Sequence, residues 1–278
     1  PGPATNGSQA ARGILKMRTT DVAALASELL ACRARAALTS LPTSHCRDFD
    51  LAAAYRVLDD ISRRRHAQGA RAVGRKIGFT NRTIWPVYGV SFPIWAPIWS
   101  DTVSIVDGNM AVVDLAPFAQ PRIEPEVVFK LARTVPPGGS DADVLLAVEW
   151  FAPGFEIVQC HFPDWRFSAP DCVADFGLHG ALLIGTPIAV DSGKLAHHLD
   201  ALEHFDAILY RGSATIDRGG GALVLGSPVR ALAHLARELA TAGRPPLAAG
   251  EIVTTGTLTD AWSVSAGVGR VSPSKPHS

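Results

Sequence analysis

The chain changes texture at Gly69, and that change restricts the architectures open to it. From Asp21, the segment DVAALASELLACRARAAL sets Val22, Leu25, Leu29 and Cys32 on one helical stripe behind a capping aspartate. From Asp50, DLAAAYRVLDDISRRRHAQG repeats the design, with basic residues late and Gly69 as a stop. Beyond Gly69 come short β-like runs: AVGRKIGF, RIEPEVVFKL, GFEIVQC, ALLIG, AILYRG and EIVTTG, separated by Pro and Gly. Helical patterns interrupt them at DADVLLAVEW and at SPVRALAHLARELATAG, where Ser227 caps, Pro228 fits the first turn and Gly243 ends the helix. Strands mixed irregularly with few helices predict an α+β fold, not a βαβ repeat. The expected organisation is a disordered lead or cloning remnant over 1–20, a helical segment over 21–70, and one β-rich domain over 71–278.

Charge and cysteine usage exclude several function classes. Lys plus Arg and Asp plus Glu both total 26, so no net field favours nucleic acid or an acidic membrane surface as the main partner. Cys32, Cys46, Cys160 and Cys172 form no CxxC pair, which argues against a disulfide framework or a zinc site and fits a reducing cytoplasm. No apolar run approaches the ~20 residues of a membrane span, and the opening PGPATNGSQAARGILK lacks the apolar core of a signal peptide. There is no GxGxxG opening a helix, no GxxxxGK[ST] and no internal repeat. The GGG at 219–221 lies between strand-like runs and is expected to be a hairpin turn.

Residues 83–100, TIWPVYGVSFPIWAPIWS, hold three of the six tryptophans and three prolines. Prolines oppose a regular helix, so a stiff aromatic loop is expected, either packed on its own core or acting as a lid over a site.

Within PRIEPEVVFK, a strand conformation puts Glu124 and Glu126 on one face with Val128 and Lys130. Ile123, Val127, Phe129 and Leu131 face the other way. Pro125 has no N–H, which suggests a sheet edge or a bulge. An edge strand with one solvated face explains the pair; so does a cation held between the two carboxylates, provided a third ligand exists. Glu156 is a candidate, because it sits among Phe155, Ile157 and Val158, where a carboxylate needs a partner. Three carboxylates make an all-oxygen site suited to Mg²⁺ or Mn²⁺. Lys76, in GRKIGFT, is either an exposed strand lysine or a general acid or base whose pKa is lowered in a dry site. His161 and His179 are weaker candidates for contact with such a site.

Taken in order, GRKIGFT, PRIEPEVVFKL, GFEIVQCHFPDW, DCVADFG, LHGALLIG and the late GALVLGSPVRALAHLARELA and LAAGEIVTTGTLTDA resemble the 2-keto-4-pentenoate hydratase / 4-oxalocrotonate decarboxylase family, in the fumarylacetoacetate hydrolase-like superfamily. The match runs from about residue 20 to 265. The resemblance implies a mixed β-roll with an N-terminal helical segment, the metal-binding and catalytic part being 71–278. It implies a divalent metal, Mg²⁺ or Mn²⁺, held by Glu124, Glu126 and Glu156. Lys76 falls on the family's KIG lysine, and Gly256, Thr257 and Thr259 on the segment lining the pyruvyl end of the pocket. Arg122 and His161 are further substrate-binding candidates. Relatives that hydrolyse acylpyruvates usually carry Asp at the third metal position, so Glu156 points to the hydratase and decarboxylase branch.

The implied substrate is a small 2-oxo or 2-hydroxydienoic acid from aromatic-compound catabolism, and relatives form homo-oligomers. A 2-oxo acid chelates Mg²⁺ through its carboxylate and 2-oxo oxygen, and the metal stabilises the C3 enolate. Hydration, decarboxylation and hydrolysis of an acylpyruvate-type C–C bond are the reactions to be separated; a relative that only binds is the non-catalytic alternative. Three departures stand out. The family's usual EIVDSR is EIVQCH here, with Gln159, Cys160 and His161; ADN is ADF, with Phe176; and AGVGRVSPSKPHS is short of the expected final strand. Fewer charges and an added ring suggest a bulkier or less acidic substrate than the usual dienoate.

Overall fold

A computed structural model describes residues 19–265, 267 and 269–273, so the expected lead falls almost wholly outside the described residues. The helix Val22–Arg35 starts where Asp21 accepts a hydrogen bond from the Ala24 N–H, and Leu51–Ala67 where Asp50 accepts one from Ala53. Their stripes, Leu25 and Leu29 against Val57, Leu58 and Ile61, form one apolar cluster with the short helix Ala169–Ala174 and with Val158 and Phe162. The N-terminal helices therefore pack directly on the region that follows Glu156 in the chain.

The strands, in chain order, are β1 (Ala72–Gly78), β2 (Ile94–Trp99), β3 (Val103–Ile105), β4 (Arg122–Leu131), β5 (Val148–Val158) and β6 (His179–Ile184). They are followed by β7 (Ile188–Ala189), β8 (Asp206–Arg211), β9 (Ala214–Gly220), β10 (Ile252–Thr257), β11 (Trp262–Ser263) and β12 (Gly269–Pro273). The main sheet runs β2-β1-β10-β4-β5-β6-β3, with β11 paired to β4 and β7 to β5; β12-β8-β9 form a second, smaller sheet. β1 pairs parallel with β10 and β3 with β6, while the other pairings are antiparallel. This mixed sheet with helices packed against it is the α+β class the sequence predicts.

β4 alternates as its sequence requires. Val127, Phe129 and Leu131 enter a core shared with Leu232, Leu235 and Leu239 of the helix Pro228–Thr241. Glu124, Glu126 and Val128 face away from it. The edge-strand expectation is corrected: β4 is an interior strand, paired to β10 on one side and β5 on the other. Pro125 is tolerated because a strand residue's N and C=O point to the same side, and the Pro125 carbonyl accepts from Leu258 on the β10 side. There the register slips between Thr254 and Thr257, so no ladder bond is lost to the missing N–H.

Four further expectations change. The helix expected over DADVLLAVEW stops at Leu146, and Val148–Val158 is strand because Trp150 and Phe151 pair with Lys130 and Phe129 of β4. Within 219–221, Gly219 and Gly220 end β9 rather than turning a hairpin. A Cβ at Gly219 would lie 1.7 Å from the Leu258 carbonyl oxygen, so the glycine allows close backbone approach. The Trp-rich stretch is loop only in part: Trp85–Tyr88 is a single helical turn and Ile94–Trp99 is an edge strand, where Pro97 is tolerated. The tail also contributes a strand, β12, against β8. Among the described residues no helix is long and apolar enough to cross a membrane.

Candidate active site

The register of β4 on β5 sets Glu124 directly across from Glu156 and Glu126 across from Gly154. One carboxylate oxygen from each of Glu124, Glu126 and Glu156 lies within 4.8 Å of the others. Oxygens bound to one Mg²⁺ at about 2.1 Å stand roughly 3–4 Å apart, so the cluster needs only a small contraction to share an ion. Glu126 accepts the Gly256 N–H through Oε2 at 2.8 Å, while its Oε1 is buried with no hydrogen-bond partner of ordinary geometry. A buried carboxylate oxygen left open toward two other carboxylates fits a hard cation.

Each carboxylate has its own support. Glu156 is fully buried; His179 Nδ1 lies 2.7 Å from its Oε1, and Lys76 Nζ 3.0 Å from its Oε2. Burial alone would raise the Glu156 carboxyl, but the Lys76 charge and the His179 bond outweigh it and hold it at about 2. Burial lifts Glu124 to about 7 against the pull of Lys76, and lifts Glu126 well above the carboxylate range with help from the Glu156 charge. The lowered lysine pKa expected from sequence is corrected. Burial does pull the Lys76 ammonium down, yet the charges of Glu156, Glu124 and Glu126 overrun it and hold the group above its usual range.

His179 is held from two further sides. Its Nε2 is 2.8 Å from Thr102 Oγ1, and its carbonyl accepts a hydrogen bond from Arg33 of the first helix, which also donates to the Gly180 carbonyl at 3.1 Å. The Arg33 guanidinium lies over the Phe176 ring at 4.7 Å. Neither Arg33 nor Thr102 carries a sequence signal for this role, and His179 carries only a weak one as a histidine opening an apolar strand.

Beside the cluster is a cavity of about 360 Å³, lined by Lys76, Glu124, Arg122, Gly256, Thr257 and Thr259 together with Phe79, Tyr88, Trp165 and Phe167. Gly256 needs its glycine: φ is +98° and a Cβ would lie 2.0 Å from Thr80 Oγ1. Arg122 stacks over Trp165 at 4.0 Å; its Nε is buried without a partner, and Nη1 reaches the Ala261 carbonyl only at 3.5 Å. From the Trp-rich stretch, Ile84, Val87 and Tyr88 reach the cavity.

His161 does not join them. It is fully buried outside the lining, with Nδ1 2.6 Å from Asp175 Oδ1 and its N–H donating to Oδ2 at 3.0 Å. Its expected role as a substrate contact is corrected on that geometry. Gln159, Cys160 and Phe176 are likewise buried off the cavity, Gln159 accepting the Ala119 N–H. The altered QCH and ADF positions therefore do not shape the cavity wall directly.

No family model matches the chain. It is 33% identical over 201 residues to a 4-oxalocrotonate decarboxylase of a Pseudomonas species, covering 72% of this chain and 74% of that protein. A 2-hydroxyhexa-2,4-dienoate hydratase of Comamonas testosteroni is 31% identical, with 84% and 86% covered, and 2-keto-4-pentenoate hydratase 1 of Dechloromonas aromatica is 32% identical, with 87% and 92% covered. Among solved structures, the 4-oxalocrotonate decarboxylase of Pseudomonas putida G7, complexed with magnesium and adipate, superposes with a TM-score of 0.81 at 26% identity over 91% of this chain and 94% of its own. The Pseudomonas aeruginosa fumarylpyruvate hydrolase, in complex with Mn²⁺ and pyruvate, shares the fold at a TM-score of 0.52 and 14% identity, covering 73% and 84%. The chain has the fumarylacetoacetate hydrolase-like fold and belongs to the 2-keto-4-pentenoate hydratase / 4-oxalocrotonate decarboxylase family.

Proposed function

We propose that the chain is a divalent-metal-dependent hydro-lyase that converts a 2-hydroxydienoate, through its 2-oxo tautomer, into a hydroxylated 2-oxo acid in the breakdown of aromatic compounds. The observation that carries this reading is the buried trio Glu124, Glu126 and Glu156 at the wall of a cavity that also presents Lys76. In the proposal Mg²⁺ or Mn²⁺ is held by those three carboxylates, and when bound it supplies Lewis-acid stabilisation of enolate charge. The β-rich part from residue 71 onward is assigned to catalysis, and the helices of 21–70 to its support.

The chain's own groups divide the remaining work. Lys76 brings a proton donor and a positive charge to the place where the dienol is protonated and enolate charge develops. Arg122 rises from the same face of β4 as Glu124 and brings to the substrate carboxylate a guanidinium whose Nε has no partner. Gly256, Thr257 and Thr259 line the pyruvyl end. The apolar rings of the cavity exclude bulk water, so that the water which adds to the unsaturated ketone is one admitted with the substrate.

A C–C bond hydrolase needs a general base for water, for which the histidines are the candidates. Both histidines have carboxylate partners, but His179 spends both ring nitrogens, on Glu156 and Thr102, and His161 lies off the cavity. That disfavours hydrolysis. Four reduced cysteines and the exposed Ile105, Met110 and Val112 support extending the proposal to a homo-oligomeric enzyme of the cytoplasm.

The test is the ultraviolet band of 2-hydroxypenta-2,4-dienoate with protein and Mg²⁺. Its loss with a hydroxy-keto product and no CO₂ supports the hydratase. Release of CO₂ from 4-oxalocrotonate without hydration of the dienoate replaces the proposal with a decarboxylase.

A further inference from the structure

Four aromatic side chains from two distant segments form one continuous wall in the cavity. Phe79 meets Tyr88 with ring centroids 5.3 Å apart; Tyr88 stacks on Phe167 at 5.1 Å and an interplanar angle of 7°; Phe167 meets Trp165 at 6.2 Å. The series ends where Arg122 lies over the Trp165 ring. All four rings line the cavity and are only half-buried, so each keeps surface for a ligand.

Two of the four sit on left-handed backbone, Phe79 at φ +58° and Trp165 at φ +57°. That region is costly for an aromatic residue, and such outliers concentrate where a side chain must be aimed at a site. Two cations line the cavity, Lys76 beside the carboxylates and Arg122 at the Trp165 end of the wall. Lys76 is engaged by Glu156, and Arg122 springs from β4 one side chain along from Glu124. With Lys76 engaged by Glu156 and Arg122 taken by the carboxylate of the 2-oxo acid end, a ligand anchored there extends its far end along Phe167, Tyr88 and Phe79, and the described lining holds no further cation for a second carboxylate.

Resting on the function proposed above, the geometry points to a specific substrate class: a 2-hydroxydienoate or 2-oxo acid whose far end is a planar, apolar group, aryl or extended polyene, rather than a short alkyl tail or a carboxylate. Planar π groups gain from offset and edge contacts with such a wall, which an alkyl tail or a carboxylate does not.

Binding tests this independently of turnover. With the Mg²⁺-loaded protein, calorimetry is run on pyruvate, oxaloacetate and phenylpyruvate. Phenylpyruvate is expected to bind about tenfold tighter than either, and Phe167→Ala to reduce its affinity several-fold more than that of pyruvate. Should Phe167→Ala fail to fold, Tyr88→Leu removes a neighbouring ring from the other segment and carries the same expectation. Oxaloacetate binding tightest, or three equal affinities, overturns the assignment. Turnover of 2-hydroxypenta-2,4-dienoate separates the two readings. Turnover without a phenylpyruvate preference leaves the hydratase standing and removes the wall's role; the preference without any dienoate turnover removes the hydratase and keeps the wall as a binding site for aryl 2-oxo acids.

Discussion

His179 Nδ1 lies 2.7 Å from Glu156 Oε1, so the carboxylate that completes the acidic trio is oriented by a histidine that is itself fixed by Thr102 and by Arg33 of the N-terminal helix. Losing the group that orients a ligand typically costs 10–100-fold in metal affinity. His179→Leu is therefore expected to weaken Mn²⁺ binding, read by electron paramagnetic resonance of the free ion, by at least about tenfold with the circular dichroism spectrum kept. His179→Asn, which restores a donor near the Nδ1 position, should recover part of the loss. Unchanged Mn²⁺ affinity in His179→Leu would remove this orienting role.

What could be read in advance, and what could not, follows from the range of the forces involved. The bounds of β4 and the placing of Glu124 and Glu126 on one face are local consequences of alternation, and Arg122–Leu131 is strand as read. Glu156 was legible because a carboxylate between Phe155 and Ile157 demands a partner. The interior position of β4 was not legible, because the bulge that excuses Pro125 belongs to β10, more than a hundred residues later. His179 and Arg33 were hidden for the same reason: each acts through one contact across the fold, with no periodicity to betray it. The aromatic wall joins residues 79–88 to 165–167, and the QCH departure, visible in sequence, lies off the cavity, with Gln159 on Ala119, Cys160 in the cluster of the N-terminal helices and His161 on Asp175.

Metal binding and proton binding should compete. In the metal-free protein, burial raises Glu124 to about 7 and lifts Glu126 well above the carboxylate range. A raised carboxyl pKa favours the folded state most below its ordinary value near 4.5, and that contribution is lost as pH climbs through about 7. A bound divalent ion removes the penalty on the charged forms. The rise in Tm produced by saturating Mg²⁺ over EDTA is expected to be larger at pH 8 than at pH 6; an equal rise at both would contradict the raised values.

Gly256→Ala tests the backbone beneath Glu126. The added Cβ would lie 2.0 Å from Thr80 Oγ1 at a φ of +98°. It also disturbs the N–H that holds Glu126 Oε2 at 2.8 Å. Strain of this kind costs roughly 1–3 kcal/mol, and denaturant unfolding should register it together with weaker Mn²⁺ binding. Wild-type stability in the variant would show that the loop shifts freely.

The cysteines should be inert in the folded protein. All four are buried, and burial pushes the Cys160 thiol up to about 12 and the Cys172 thiol well above its ordinary range. With DTNB at pH 8, negligible fast reaction is expected before denaturation and four thiols after it. A rapidly reacting thiol in the native protein would mean that the cluster beneath the N-terminal helices opens readily or that reagent reaches Cys172 through the cavity it lines.

The acidic trio is the centre of the proposed chemistry, and Glu126→Gln addresses it directly, since the change keeps the side-chain volume and an acceptor for Gly256 while removing one charge. Calorimetry with Mn²⁺ and dienol turnover are measured on the same samples. One ion per wild-type chain, and a folded variant that loses both tight binding and turnover, is the predicted result; a variant that binds the ion and turns over as the wild type does would contradict it.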